Sequence, residues 1–327
     1  PPHLPLTRAR CMPPTARLAS LLGVGVALVA SVAGAGGAAC VGGSCDAPQG
    51  ATPTLAATHM AAADAAAAGG AGNGVVRVRR SEERGHADHG WLNTYHTFSF
   101  ASYHERAFDE YGALRVLNED RVVGGEGFGR HPHSEFQIFS YILSGALRHD
   151  DSLGNTETLR RGDVQFTAAG TGIRHSEVNA DDKEEVHFLQ IWYTPNKRGL
   201  TPRYVTKHWE DADKHGRLCQ IVSSDGADGS IAIDADTRVY AALLLDGEAV
   251  AHDIDARRRA YIHVPATRGS RGVVVNGKVQ LRPGDGAFVE RSSRITLTGR
   301  AEGAAASAEA DGGADGGAGG DAAAAAA

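Results

Sequence analysis

Cysteine is scarce in this chain. Four occur, Cys11, Cys40, Cys45 and Cys219, and only the last falls where the patterning looks foldable. The folded part can therefore hold no internal disulfide, which excludes the small disulfide-stapled class and fits a reducing compartment without requiring one. Lysine and arginine form no block interleaved with aromatics, and the formal net charge is −6; direct nucleic-acid binding is not expected. No GxSxG or P-loop is present, and GEGFGR (125–130) lacks the following helix that a dinucleotide fingerprint needs. No long stretch carries a helical period. Before residue 50 the only acidic residue is Asp46, and after Arg300 nothing is basic.

What remains at the ends is low in complexity. Residues 1–74 are rich in Ala and Gly, and 301–327 are almost all Ala, Gly, Asp and Glu. Such a tail cannot bury enough apolar surface to offset the entropy of ordering, so both extensions are expected to be disordered. Arg8, Arg10 and Arg17 precede the apolar run LASLLGVGVALVASVAGAGGAA (18–39). That arrangement predicts a cleaved targeting segment, plastid or mitochondrial, with a secretory signal and small residues at Ala33 and Ala35 as the alternative. A membrane span is the third option, against which its glycines weigh. Without the extension the core is expected to be cytoplasmic, and no membrane is expected for the mature core.

The interior reads as short β-type runs separated by turn signals. VVRVRR (75–80), FQIFSYIL (136–143), VHFLQIWYT (186–194), RVYAALLL (238–245) and GAFVE (286–290) are examples. LRRGD (159–163) recurs as LRPGD (281–285), each preceded by a turn pair, Gly154-Asn155 and Asn276-Gly277. This echo predicts two similar β-barrels from one duplication. The expected organisation is an extension at 1–74, a first barrel at 75–196, a second at 197–300 and the tail at 301–327.

Chemistry concentrates in two short stretches. In FGRHPHSEF, His131 and His133 stand at i and i+2; in TAAGTGIRHSEVN, His175 and Glu177 do the same. Alternate residues of a strand share a face, so two strands can aim four donors into one barrel interior. Three imidazoles and a carboxylate suit Fe(II), Mn, Ni, Cu or Zn better than Mg or Ca. Gly127, Gly129, Gly170 and Gly172 flank the ligands where the backbone must turn sharply.

The stretches Gly125 to His133 (G-x5-H-x-H) and Gly162 to Asn179 (G-x5-AAG…H-x3-N) resemble the two cupin motifs. With RGHADHGWLNTYHTFSFASY (84–103), the chain from about 76 to about 296 resembles the pirin family. The resemblance implies an all-β bicupin, two stacked cupin-type β-barrels with one metal, usually iron, in the first barrel only. Its ligands fall on His131, His133, His175 and Glu177. It implies a quercetin 2,3-dioxygenase-like enzyme, acting on a small aromatic substrate with O₂, in which Glu177 also accepts the substrate proton. The rival is a non-enzymatic, iron-dependent redox-sensing transcription cofactor with a protein partner. A monomer is expected. The sequence departs from the family pattern in two places. Gln137 stands where a cupin Glu is usual, which bears on pocket acidity, and the sequence after Leu297 lacks the aliphatic last strand, so the second barrel is expected to be less well closed.

The ligand positions shifted by the repeat give Asp253, Asp255, Leu297 and Gly299, a set without imidazoles; no metal is expected there. His86, His89, His96 and His104 are expected to serve packing, Glu135 to be a charge at the barrel mouth, Phe136, Phe139 and Tyr141 to fill the barrel, and His187 to be core or to support the ligands. His252 and His263 are read as ordinary strand residues, and Cys219 as a buried hydrophobe.

Overall fold

The computed structural model describes residues 25–32 and 73–300. The rest of the N-terminal extension and the tail at 301–327, where disorder is expected, lie outside the described residues. The strands, in chain order, begin with β1 (Gly25–Val32) and β2 (Asn73–Arg79). Next come β3 (Gly85–Asp88), β4 (Leu92–His96), β5 (Leu114–Val122), β6 (Gly127–His133), β7 (Gln137–Ser144), β8 (Ala146–Asp151) and β9 (Thr156–Arg160). They continue with β10 (Asp163–Ala168), β11 (Ile173–Asn179), β12 (Val186–Tyr193), β13 (Arg203–His208), β14 (Cys219–Ser223) and β15 (Ile231–Ala232). The last are β16 (Thr237–Leu244), β17 (Ala249–Asp253), β18 (Arg259–His263), β19 (Val273–Val275), β20 (Val279–Leu281), β21 (Gly286–Ser292) and β22 (Arg294–Gly299). No helix among the described residues is long and apolar enough to cross a membrane.

The fold is an all-β bicupin. In the first unit the large sheet runs β13-β10-β7-β12-β5-β4-β3 and faces a small sheet, β6-β11-β8-β9. The second unit repeats the plan, β2-β21-β18-β1-β16-β14-β15 over β17-β22-β19-β20. The duplicated LRxGD element explains part of the likeness. Asp163 accepts a hydrogen bond from the backbone N–H of Arg160 at 2.6 Å, and Asp285 from that of Arg282 at 2.9 Å. The glycine before each aspartate has positive φ, 89° at Gly162 and 86° at Gly284, a conformation other residues adopt only at a cost.

β7 (QIFSYILS) and β12 (VHFLQIWY) are buried along both faces. Their β-branched and aromatic residues suit a strand, and their lack of polar alternation follows from two covered faces. One face looks into the unit's own interior, where Ile142, Leu147, Leu159, Val186 and Phe188 cluster. The other packs against the large sheet of the second unit, with Phe139, Tyr141 and Ile191 in one cluster with Val239, Tyr261 and Phe288. Phe139 and Tyr141 were expected inside the barrel. The period-2 alternation of β7 places them instead between the two units, because Ser140 is the residue that faces inward. Gln137 shares their face: its side-chain oxygen accepts from the backbone N–H of Asp234 at 2.9 Å, so it ties the units together rather than setting pocket acidity.

Two edge strands are exchanged. β13 follows residue 197, yet it pairs with β10 of the first unit from Asp163↔His208 to Ala168↔Arg203. β2 precedes the first unit, yet it pairs with β21 of the second. A division at 196/197 therefore leaves each unit with an edge strand drawn from across the boundary. Gly25–Val32, inside the stretch expected to be a disordered or targeting extension, forms a strand between β16 and β18.

Candidate metal centre

The site is built where β6 and β11 lie antiparallel, with His175 opposite His131 and Ile173 opposite His133. A bulge between His175 and Glu177 adds a residue on the β6 side. Gly127 is required there: a Cβ at that position would collide with the backbone carbonyl of Glu177 and with Val178. Gly127→Ala is expected to push β6 off β11, costing about 1–3 kcal/mol, with a matching shift in the denaturation midpoint.

The three imidazoles converge. Their ring centroids are 4.6–4.8 Å apart in every pairing, and Nε2 of His131 lies 3.1 Å from Nε2 of His175. His131 donates its Nδ1–H to the carbonyl of Gly129 at 2.7 Å, leaving Nε2 as the lone-pair nitrogen. Burial, with the neighbouring His175 and His131, pushes His133 down to about 4. Burial also lowers His175. Neutral imidazoles are the ligating form. Two nitrogens bound to one ion at about 2.1 Å and nearly at right angles stand about 3 Å apart, so the contact between His131 and His175 fits a shared transition ion.

Glu177 is fully buried, and its ligand atom groups with those of His175 and His149 within 4.8 Å, a triad overlapping the His131, His133 and His175 group. Ser140 Oγ donates to its Oε1 at 2.8 Å, Gln190 Nε2 to its Oε2 at 3.1 Å, and Gln165 Nε2 also bonds Oε1. Of the four expected residues, the three imidazoles form one group, Glu177 falls in the other with His149, and His175 belongs to both.

His149 was missed by the sequence reading. It stands opposite Glu177 on β8 and pairs through Nε2 with Asp151 at 3.2 Å. Its signal was available: His149-x-Asp151 has the same i, i+2 spacing as the pairs that were noticed. Tyr204 of β13 stacks on its ring at 4.5 Å, so an exchanged strand walls the site. Asp120 was missed too. It is buried and hydrogen-bonded by Thr94, and burial, reinforced by the charge of Glu177, raises it to about 7.

Trp192 packs edge-on against His133 at 4.9 Å. A shallow cavity of about 360 Å³ opens beside His133, lined also by Pro132, Ser134, Ser152, Gly172 and Arg174. The remaining candidates go elsewhere. Glu135 accepts from the N–H of Gly199 at 3.2 Å, and His96 pairs with Asn118 at 2.9 Å. In the second unit, Asp253 pairs with Arg294 and Asp255 with Arg257.

Two cupin-type units, with imidazoles gathered on facing strands of the first, define a metal-binding bicupin with a single metal centre. Residues 75–193 match the family described as Pirin, and residues 220–306 match the quercetinase C-terminal cupin domain. The chain belongs to the pirin family. It is 41% identical over 223 residues to quercetin 2,3-dioxygenase of Escherichia coli (strain K12), covering 68% of this chain and 93% of that protein. The crystal structure of YhhW from Escherichia coli superimposes with a TM-score of 0.64 at 39% identity, covering 69% of this chain and 93% of that one. A structure of the bacterial pirin YhhW in complex with nickel(II) gives the same TM-score and identity, covering 69% and 94%.

Proposed function

We propose that this chain is a metal-dependent dioxygenase of the quercetin 2,3-dioxygenase type, using O₂ on a flavonol-like aromatic substrate. The observation that carries the reading is the convergence of His131, His133 and His175 beside the buried carboxylate of Glu177. The names of the relatives support it, and so does the nickel complex of one of them. His131, His133, His175 and Glu177 are the proposed ligands. Fe(II) is the proposed ion, with Mn, Ni, Cu and Zn as alternatives.

An ion held there supplies a Lewis acid for a substrate enol oxygen and a redox-active partner for O₂. The chain's own residues do the rest. Gly129 fixes the ring of His131, and Trp192 stops that of His133 from turning outward. Ser140, Gln165 and Gln190 aim the carboxylate of Glu177, which takes the proton of the substrate hydroxyl. The cavity beside His133, with Pro132 and Ile173 in its wall, offers room for an aromatic ring.

Oxygen uptake with quercetin by metal-loaded protein, measured against His131→Ala, tests the activity. Turnover no greater than in that variant would overturn the enzyme reading in favour of the redox-sensing regulator with a protein partner. Gln190→Leu is expected to weaken metal affinity by about 10- to 100-fold through the lost bond to Glu177; competition with a chelator measures it.

A further inference from the structure

We propose that residues Gly25–Val32 are a retained structural strand, which closes the second unit from the same chain in place of a strand that the duplicated sequence has lost. In the first unit the slot between β5 and β7 is filled by β12, antiparallel to both. In the second unit the matching slot lies between β16 and β18, and β1 fills it, also antiparallel to both.

The register agrees position by position. The LRxGD aspartates, Asp163 and Asp285, fix the repeat at 122 residues. Val122 pairs with Val186, and its repeat Leu244 pairs with Gly25. Leu117 pairs with Ile191, and its repeat Val239 pairs with Ala30. On the other side Tyr141 pairs with Leu189, and its repeat His263 pairs with Leu28, the position that Leu189 occupies in the first unit. β1 thus replaces β12 in place, direction and register.

The segment that the repeat would supply cannot do this. The positions 122 beyond β12 are 308–315, AEADGGAD, against VHFLQIWY in β12. Between them the eight carry three acidic residues and two glycines and no branched aliphatic or aromatic residue, so burying them would strand charge. GVALVASV is uncharged and valine-rich, and suits a central strand. Without it, the facing edges of β16 and β18 would be two unpaired rows of backbone donors and acceptors on strands that are otherwise buried. The ends of the two strands suit connection within one chain. β1 ends opposite Arg259, Arg259 pairs with Glu290, and Glu290 pairs with Val75 of β2. The end of β1 and the start of β2 therefore lie at the same end of the sheet.

Hydrogen exchange of the full chain, read by mass spectrometry, tests this. Residues 25–32 should be protected as strongly as 237–244 and 259–263. Val29→Pro should abolish protection in all three segments and leave that of 146–151, in the small sheet of the first unit, and the metal content unchanged. Ala27→Cys with Ala242→Cys, residues paired in the register, should cross-link within one chain on mild oxidation. The proposal is overturned if 25–32 exchanges like an unstructured peptide while β16 and β18 stay protected. A mature chain beginning after Val32 with those strands still protected, or a cross-link joining two copies, overturns it equally.

Discussion

Protein carrying His175→Ala is expected to retain almost no metal after purification, whereas the parent chain retains one ion. His175 is the residue common to both donor groups, the one with His131 and His133 and the one with His149 and Glu177. It is fully buried, and its Nε2 faces that of His131 at 3.1 Å. Alanine removes the central donor and leaves a small cavity that neither flanking group can fill without moving a strand. His149→Ala is expected to be milder, because its Nε2 is already engaged by Asp151 at 3.2 Å. Elemental analysis of the two proteins, prepared identically, separates these outcomes. Full occupancy in His175→Ala would sink the proposed ligand set, and oxygen uptake with quercetin should fall with the metal.

The largest effect on stability is expected at Glu119. Its carboxylate is buried between the units and accepts from His187 at 2.9 Å, His263 at 3.1 Å, Arg84 at 3.2 Å and the backbone N–H of Ala266. Glu119 and His187 belong to the first unit and His263 and Ala266 to the second, so the group bridges them. Glu119→Gln turns an N–H toward these donors and leaves buried Arg84 without its counter-charge. Breaking such a pair costs about 3–5 kcal/mol, measurable by urea denaturation; a change below about 1 kcal/mol, the scale of an exposed pair, would show that the network is peripheral to stability.

The same group predicts a pH dependence. Burial would raise Glu119, but the hydrogen bonds from His187 and His263 and the charge of Arg84 hold it well below its ordinary 4.5. Burial lowers His263 from its ordinary 6.5, against the pull of Glu119. Both folded values lie below the unfolded ones, so the folded state binds fewer protons and stability falls as the pH falls. The contribution of His263 is complete above about pH 6.5 and is lost on acidification below it. That of Glu119 is complete above about 4.5 and is lost as the pH drops toward its depressed value. Glu119→Gln should remove the second phase, and a urea midpoint followed across pH reads both.

Much of the donor set was legible because strand alternation is a local rule. His131, His133, His175 and Glu177 share spacing that puts each pair on one face, and the pairing of β6 with β11 gathers the three imidazoles, while Glu177 groups with His175 and His149. His149-x-Asp151 carries the same local spacing, but only the pairing of β8 with β11 sets His149 opposite Glu177, and nothing in the strand of Asp120 marks it as buried beside another carboxylate. His263 reads as an ordinary strand residue until the units are docked, since its partner Glu119 is 144 residues away. Gln137, Phe139 and Tyr141 show the same limit: alternation places them on one face of β7, but only the docking of the two large sheets says what that face meets. The chain positions of β2 and β13 say nothing of which sheet they join, because edge pairing is decided by tertiary contact rather than by strand propensity.

The exchange of β2 and β13 has a consequence for a severed backbone. A protease nick between His208 and Cys219 would break the covalent tether but not the particle. The N-terminal fragment would still hold Asn73–Arg79 laced into the distal half, and its own carboxy-terminal ribbon would remain fastened to Asp163–Ala168. Such a protein would migrate as two bands in denaturing gels yet elute as one body from a sizing column.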